Sequence, residues 1–438
     1  MSDASSGLNP GSALSSQRWK IIVPISFVTY SLAYLDRSNY SIGTAGGLSR
    51  DLGITPGADA LLGALFFLGY FLFQIPAAHY AENRSVKRLI TWCLVLWGIF
   101  AAAQGVIPWL WLFFVDRFLL GVVEAAILPA MLIFLAHWFT SRERARANSF
   151  LILGNPVTVM WMSAVSGYLI AATNWRWMFI IEGLPAVLWA FAFWRLTADH
   201  PKDARWLDQE EKEAIEDALA AEQREIPPVE SYREALGSRN VIILSIQYLL
   251  WSIGVYGFVF WLPTIIKAAS HHGIGSTGAL SAIPYAFAVV AMIVVSHFSD
   301  RSSRRRAFVW PFLLVGTIAF YLSYRIGPGH FWLSFVLLVI AGAVMYAPYG
   351  PYFAFIPEML PRNVSGAAIA LVNSFGALGG FVGAYVVGWL NGNFGSGVAF
   401  IFMAAALLAA ALLMLLVRGT RSHTTGPAAG TQKTRRRA

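Results

Sequence analysis

Residues 110–138, LWLFFVDRFLLGVVEAAILPAMLIFLAHW, form an apolar run long enough to cross a lipid bilayer, which takes about 20 residues of helix. The run nevertheless contains three charged residues, Asp116, Arg117 and Glu124. A charge at the bilayer centre costs roughly 2.5–3.5 kcal/mol, so charged side chains within a span face other protein rather than lipid. The stretch therefore predicts a spanning helix with a polar face directed into a bundle of helices.

Apolar runs of this kind recur along most of the chain. Hydrophobic residues make up 57% of the sequence and charged residues 13%, whereas a soluble domain has roughly 45–50% apolar residues. We place the spans near residues 20–43, 59–80, 88–108, 110–138, 147–171, 175–196, 241–267, 279–298, 307–325, 331–357, 363–390 and 396–417. Six spans, a gap and six more predict an all-α membrane protein with twelve transmembrane helices in two pseudo-symmetric bundles.

The polar segments set the expected domain boundaries and the orientation. We expect an N-terminal tail, a first bundle, a central loop, a second bundle and a basic, disordered tail over residues 1–18, 19–196, 197–240, 241–418 and 419–438. The central loop holds LDQEEKEAIEDALAAEQREI (207–226), whose composition favours a solvated helix. Lys and Arg concentrate in both tails and in alternate loops, which indicates that these segments are cytoplasmic.

Several function classes are excluded by the same composition. The net charge of +9 comes from basic residues in short loops, so it indicates membrane orientation and no nucleic acid binding. The single cysteine, Cys93, excludes an internal disulfide and a cysteine-cluster metal site. The polar N-terminus predicts no cleaved signal peptide. Because no catalytic or nucleotide-binding motif is present, we expect no enzyme and no cofactor.

A loop motif and four longer stretches point to a family. SHFSDRSSRRR (296–306) carries Asp300 and Arg301 before a basic cluster, and AHYAENRSVKR (78–88) is a degenerate copy with Glu82 in place of the acid. The longer stretches are YLDRSN (34–39), RFLLGVVEAAILPAM (117–131), WRWMFIIEGLPA (175–186) and VNSFGALGGFVGAYVVGWL (372–390). Together they resemble the major facilitator superfamily, and within it the anion:cation symporter family, over nearly the whole chain. Further segments look like bacterial 2-ketogluconate carriers.

The resemblance implies a fold and an activity. Members of this family import organic anions with protons by alternating access, and the proton gradient drives them without a cofactor. By resemblance, we expect a carrier in the bacterial inner membrane that works as a monomer. Its partners are then a small organic anion, H⁺ and the lipid bilayer.

The ionisable residues far from a membrane interface lie in the first half: Asp36, Arg37, Asp116, Arg117, Glu124 and Glu182. Arg117 and Glu124 are seven residues apart, so they share one helix face about 10.5 Å apart along the axis. Near mid-bilayer, Glu124 could bind and release a proton as its surroundings change. A second interpretation stays open, in which Arg117 with Glu124 and Asp36 with Arg37 are structural ion pairs.

Functional roles follow from the resemblance. The family's proton-linked positions correspond to Asp36 and Glu124, and its substrate-carboxylate contact corresponds to Arg37. Tyr70 matches a polar position that lines the family's cavity. Arg117 could serve a second carboxylate. For Asp300, Arg301 and Glu182, we expect gating or structural roles.

Neutral side chains complete the predicted binding site. Gln74 lies one turn from Tyr70, and the second half contributes Gln247, Trp251, Tyr256, Tyr346, Asn373 and Ser374. Hydrogen-bonding groups beside flat apolar faces suit the hydroxyls and carbon skeleton of a sugar acid. Carriers of dianions tend to place another cation in the second half, and the corresponding position lies near Trp251. We therefore expect a polyhydroxylated monocarboxylate such as 2-ketogluconate, with tartrate or phthalate as the alternative and a non-transporting anion sensor as the remote one.

Overall fold

The computed structural model describes residues 16–225, 236–270, 273–302, 304–359 and 362–417. Twelve long helices account for most of these residues, and no strand occurs among them. In chain order the helices are α1 Ser16–Ala45, α2 Pro56–Asn83, α3 Val86–Ala103, α4 Leu110–Trp138, α5 Ser141–Ala172, α6 Trp175–Leu196, α7 Arg239–Ser270, α8 Ile274–Ser302, α9 Trp310–Ile326, α10 Phe331–Ile356, α11 Arg362–Phe394 and α12 Ser396–Leu416. Residues 1–15 of the N-terminal tail predicted over 1–18, and the whole tail predicted over 419–438, lie outside the described residues.

Eleven of these helices are long and apolar enough to cross a membrane by length and composition. Helix α1 is the exception, because its second half is polar: Asp36, Arg37, Ser38, Asn39 and Ser41. All five side chains are buried against other helices, which is how a bundle accommodates polar groups at membrane depth. The predicted twelve transmembrane helices in two six-helix bundles are confirmed.

Polar residues before the helices fix where several of them begin. The side chain of Thr55 accepts a hydrogen bond from the backbone N–H of Ala58 at the start of α2. Ser85 caps α3 in the same way, and the side chain of Asn174 accepts from two backbone N–H groups at the start of α6. Such caps satisfy donors that the first helical turn leaves unpaired. Helix Gln209–Glu225 occupies the segment of the central loop in which the sequence predicts a helix.

The two halves meet mainly where α2 packs on α11 and α5 packs on α8. We call the end at which α1 finishes and α2 begins the distal end. There the helices approach closely: a Cβ placed on Gly278 of α8 would lie 2.3 Å from the carbonyl oxygen of Ser163, and one on Gly388 of α11 would lie 2.5 Å from the Cβ of Ala60. The Lys267 ammonium also donates to the carbonyl of Ala45, the last residue of α1. The distal end is therefore closed, and a cleft remains deeper in the bundle.

Close packing of α4 on α2 positions the charged residues of α4. A Cβ on Gly121 would lie 1.9 Å from the carbonyl oxygen of Phe66, so only glycine fits at this crossing. Gly57, at the start of α2, has open space where a Cβ would be.

We expect Gly121→Ala to destabilise the protein by about 1–3 kcal/mol through overpacking, lowering its melting temperature in detergent, while Gly57→Ala leaves the melting temperature unchanged. Equal melting temperatures for both variants would contradict this packing.

Candidate functional site

A cleft lies between the two halves, near the middle of the membrane-spanning helices. Helices α1, α2 and α4 form one wall, and α7 and α11 form the other. The lining residues are Tyr30, Tyr34, Arg37, Phe67, Tyr70, Leu128, Tyr248, Tyr256, Asn373, Gly376 and Ala377. Five of these residues are tyrosines and one is charged, so the described part of the chain gives the cleft hydroxyl groups, aromatic faces and a single cation.

The cation of the cleft is Arg37, which is 5% exposed. Its Nε donates to Oε2 of Glu124 at 3.1 Å. The guanidinium lies 4.6 Å from the ring centroid of Tyr34 and 4.5 Å from that of Tyr70. Its Nη2 is buried and has no hydrogen-bond partner among the described residues. Arg37 therefore has an unsatisfied donor beside the cleft, positioned by stacking and by one carboxylate.

Glu124, the partner of Arg37, ends the first segment of α4, Leu110–Glu124, and the second segment begins at Ile127. Its side chain is fully buried, and its Oε1 has no hydrogen-bond partner among the described residues. One carboxylate oxygen is thus paired with Arg37, and the other is unpaired within the described part of the chain. The ion pair joins α1 to α4 at the point where α4 is interrupted.

The sequence suggested Arg117 with Glu124, and Asp36 with Arg37, as structural ion pairs. In the structure, Glu124 pairs instead with Arg37 of α1. Arg117 lies two turns from Glu124 on the same helix. Its Nε donates to the carbonyl of Leu62 at 3.2 Å, and its guanidinium lies 4.5 Å from the Tyr40 ring. Arg117 does not line the cleft, and both of its Nη atoms lack a hydrogen-bond partner among the described residues.

Asp36 points away from the cleft although it neighbours Arg37. Successive residues of a helix are about 100° apart around the axis, so the two side chains face different helices. One carboxylate oxygen of Asp36 accepts a hydrogen bond from the indole N–H of Trp97 on α3. The other accepts from the Asn39 amide at 3.2 Å. Asp36 and Arg37 therefore contact different parts of the first bundle.

The remaining predicted residues of the first half and of the loop motif lie outside the cleft. The Glu182 carboxylate accepts a hydrogen bond from the Ser166 hydroxyl at 2.6 Å in the interior of the first bundle. Gln74 lies one turn from Tyr70 and accepts from the hydroxyl of Ser374 at 2.9 Å, which links α2 to α11 across the two halves. Arg301 is exposed at the end of α8, and the side chain of Asp300 lies outside the described residues.

Of the second-half residues predicted from the sequence, Tyr256 and Asn373 line the cleft. Trp251 is fully buried, and its indole N–H donates to the carbonyl of Met345 at 3.0 Å. Tyr346 packs in an aromatic cluster, with its ring 5.5 Å from that of Tyr349. Gln247 is buried without a hydrogen-bond partner among the described residues and does not reach the cleft.

Sequence reasoning missed several lining residues, including Tyr30, Tyr34 and Tyr248. The first two precede Arg37 by seven and three residues, a spacing that puts all three on one face of α1. This face was therefore recognisable from the sequence. Tyr248 packs against Gly376, where a Cβ would lie 2.1 Å from its ring, and no local pattern signals such a contact between distant helices. No cluster of His, Cys, Asp and Glu in the described part of the chain could hold a metal ion.

The Arg37–Glu124 pair should show strong energetic coupling. We expect Arg37→Ala to destabilise the protein by about 3–5 kcal/mol, because it leaves a buried carboxylate without its cation. Adding Glu124→Gln to Arg37→Ala should restore part of that loss, since the buried charge is then removed. A double-mutant cycle of melting temperatures in detergent measures the coupling. Strictly additive effects would show that the pair does not interact.

Known proteins resemble this chain in sequence and in fold. It is 30% identical over 403 residues to a protein of Agrobacterium vitis named putative tartrate transporter, covering 90% of this chain and 89% of that one. It is 29% identical over 392 residues to a quinolone resistance transporter of Acinetobacter baumannii, covering 87% and 89%. The fold matches an inward-facing, unoccupied bacterial homologue of the human lysosomal transporter Spinster, with a TM-score of 0.72 and 16% identity over 92% of this chain and 96% of that one.

The sequence model of the Major Facilitator Superfamily matches residues 26–384 and 265–437. These matches span both bundles and the cleft between them. The chain belongs to the Major Facilitator Superfamily and is a membrane transporter rather than an enzyme.

Proposed function

We propose that this protein is a proton-coupled symporter that imports an organic anion by alternating access across the bacterial inner membrane. The preferred substrate is a sugar acid, 2-ketogluconate or a related aldonate. The observation that carries the proposal is the position of Arg37 beside a tyrosine-rich cleft. Its Nε donates to the buried carboxylate of Glu124, and its Nη2 has no hydrogen-bond partner among the described residues.

Substrate recognition rests on one cation among neutral groups. A carboxylate accepts two parallel hydrogen bonds from a guanidinium in a fixed geometry, and Arg37 has the free Nη2 for such a contact. The tyrosine hydroxyls and the Asn373 amide can hydrogen-bond to substrate hydroxyls, while the aromatic rings contact the carbon skeleton. Because Arg37 is the one charged residue that lines the cleft in the described part of the chain, a monocarboxylate fits better than a dianion. The relative named as a tartrate transporter supports tartrate or another dicarboxylate as the alternative. Arg117, which does not line the cleft in this state, would then have to reach it to serve as the second cation.

Coupling follows from competition for the same guanidinium. When a substrate carboxylate takes hydrogen bonds from Arg37, Glu124 must share or lose its ion pair. A buried carboxylate without a cation is costly, and binding a proton removes the charge. Anion and proton therefore bind together. An inward proton driven by 100 mV releases about 2.3 kcal/mol, so one net charge per cycle supports accumulation.

Alternating access requires the closed distal end to open. If both termini are cytoplasmic, as the basic loops favour, the distal end faces the periplasm and the present state is closed on that side. Opening would break the contact between Lys267 and the end of α1, and separate α5 from α8. The Gln74–Ser374 hydrogen bond, one turn beyond Tyr70, would part when the cleft opens to the cytoplasm. A single chain contains both halves, which is consistent with a functional monomer.

Uptake into proteoliposomes tests the function directly. With an imposed inward proton gradient, we expect labelled 2-ketogluconate to accumulate, a protonophore to abolish accumulation, and unlabelled gluconate to compete more strongly than tartrate or phthalate. A fluoroquinolone is tested as a competitor in the same assay, because one relative is named a quinolone resistance transporter. Stronger competition by tartrate than by gluconate would show that the substrate is a dicarboxylate rather than a sugar acid. Anion binding without uptake of any of these compounds would contradict transport and favour the sensor.

The roles of Glu124 and Arg37 can be separated in the same vesicles. We expect Glu124→Gln to abolish gradient-driven accumulation while retaining counterflow, since the substrate contact at Arg37 survives. Arg37→Ala should abolish both accumulation and counterflow. It should also weaken binding of the anion at least about 30-fold, the equivalent of about 2 kcal/mol for a buried charged contact. Arg325→Ala, at an exposed position near the end of α9, is the matched control. Normal affinity for the anion in Arg37→Ala would show that another residue contacts the substrate carboxylate.

A further inference from the structure

A second cavity lies between the two halves, on the distal side of the cleft, and we call it the distal cavity. Helices α1 and α2 give it a polar wall, and α7 gives it an aromatic one. The residues that form these walls are Tyr40, Ser41, Thr44, Asp59, Phe260 and Trp261. None of these six lines the cleft, so the distal cavity is a separate set of groups on the path between the halves.

Asp59 is the acid of the distal cavity, and it is 7% exposed. Its Oδ1 accepts a hydrogen bond from the Tyr40 hydroxyl at 2.7 Å, and the Thr44 hydroxyl lies 3.4 Å from the same oxygen. No hydrogen bond to Oδ2 occurs among the described residues. The Arg117 guanidinium lies 4.5 Å from the centroid of the Tyr40 ring and supports that ring from its other side. Asp59 therefore brings an unpaired acceptor to a cavity whose hydroxyl groups are held in place.

Neutral groups of the distal cavity complement this acceptor. The indole N–H of Trp261 is buried and has no hydrogen-bond partner among the described residues. The Ser41 hydroxyl donates to the carbonyl of Ser38 at 2.7 Å, which leaves its oxygen able to accept. Acceptors and donors beside aromatic rings suit a chain of hydroxyl groups. A carboxylate suits the same place poorly, because it would lie beside the charge of ionised Asp59.

The distal cavity continues the helix faces that line the cleft. On three helices, a residue of the cleft is followed four residues farther toward the distal end by a residue of the distal cavity. These pairs are Arg37 and Ser41, Phe67 and Gly63, and Tyr256 and Phe260. Four residues of helix span about 6 Å, and an extended six-carbon chain with C–C bonds of about 1.5 Å spans about the same length. A sugar acid with its carboxylate at Arg37 can therefore extend its other end to the level of Asp59.

Two aromatic rings separate the cleft from the distal cavity in the present state. Phe67 of α2 lines the cleft, Phe260 of α7 lines the distal cavity, and their ring centroids are 5.6 Å apart. Because the two rings belong to different halves, opening of the distal end would draw them apart. The cleft and the distal cavity would then form one site, with Arg37 at one end and Asp59 at the other.

We propose that Asp59, with the hydroxyls of Tyr40 and Thr44, binds the hydroxylated end of the substrate anion when the distal end is open. In this role Asp59 also excludes anions that carry a second carboxylate at that end. The inference rests on the proposed import of a sugar acid and deepens it. Arg37 binds the carboxylate of the anion, whereas Asp59 selects what stands at the opposite end: a hydroxyl donates to the Asp59 carboxylate, and a carboxylate is repelled by it.

Gluconate and glucarate are matched ligands for this test, because they share a hydroxylated six-carbon chain and differ in one end group, a hydroxyl or a second carboxylate. Calorimetry on the purified protein in detergent gives the dissociation constant of each. We expect the unmodified protein to bind gluconate at least about tenfold more tightly. Asp59→Asn keeps an oxygen that can accept from Tyr40 and removes the charge. It should weaken gluconate binding about tenfold, through loss of a charge-assisted hydrogen bond, and strengthen glucarate binding.

Two further variants separate charge from packing. Asp116→Asn is the matched control, because Asp116 is a buried acid of the same bundle, 4% exposed, that lines neither the cleft nor the distal cavity. It should leave the preference for gluconate unchanged. Thr44→Val removes a hydroxyl without changing charge, so it should weaken gluconate binding without strengthening glucarate binding.

The outcomes keep this inference distinct from the proposed function. An unchanged preference in Asp59→Asn, an equal change in Asp116→Asn, or tighter binding of glucarate by the unmodified protein would overturn the role of Asp59. Accumulation of gluconate in proteoliposomes is measured on the same preparations. Proton-driven accumulation with an unchanged preference in Asp59→Asn contradicts only the role of Asp59, whereas a changed preference without accumulation contradicts only the proposed symport. Failure of the unmodified protein to bind either sugar acid would overturn both.

Discussion

The ion pair between Arg37 and Glu124 is the interaction on which the rest of the site depends. Burying two charges costs several kcal/mol per ion unless geometry and further contacts offset it. Here the guanidinium is stacked between the rings of Tyr34 and Tyr70 and bonded to a carboxylate 3.1 Å away. Such contacts are worth about 2 kcal/mol when desolvated. The pair is nevertheless incomplete, because each partner keeps an atom that has no hydrogen-bond partner among the described residues. Under the proposed function, this suits the pair to exchange with a ligand.

The two halves divide the chemistry of the site. The first bundle holds the buried charges of the described chain, Arg37, Glu124, Asp36, Arg117 and Glu182 among them, and the second contributes tyrosines, Asn373 and small residues to the cleft. In the proposed transport cycle, charge stays within one packed unit while the halves move relative to each other. The proposed proton response then lies in the first bundle, and the second bundle contributes neutral groups to the cleft.

The sequence predicted the spanning helices because bilayer thickness sets their length, and it singled out Arg37 and Glu124 as candidates because buried charge is rare. It could not predict that these two residues pair, since that depends on where α1 crosses α4. Trp251 and Gln247 illustrate the same limit: their polarity suggested the cleft, yet the rotation of α7 buries them away from it. By contrast, the spacing of Tyr30 and Tyr34 from Arg37 along the sequence was enough to indicate that the three residues share one face of α1.

The central claim is that the substrate anion and the Glu124 carboxylate compete for Arg37, so that binding of the anion is coupled to protonation of Glu124. Calorimetric binding of 2-ketogluconate in buffers of different ionisation enthalpy counts the protons exchanged on binding. If the anion displaces Glu124 from Arg37, binding near neutral pH takes up protons, and Glu124→Gln removes that uptake while still binding the anion. Binding with no proton exchange in the unmodified protein, or with equal uptake in Glu124→Gln, would contradict this account.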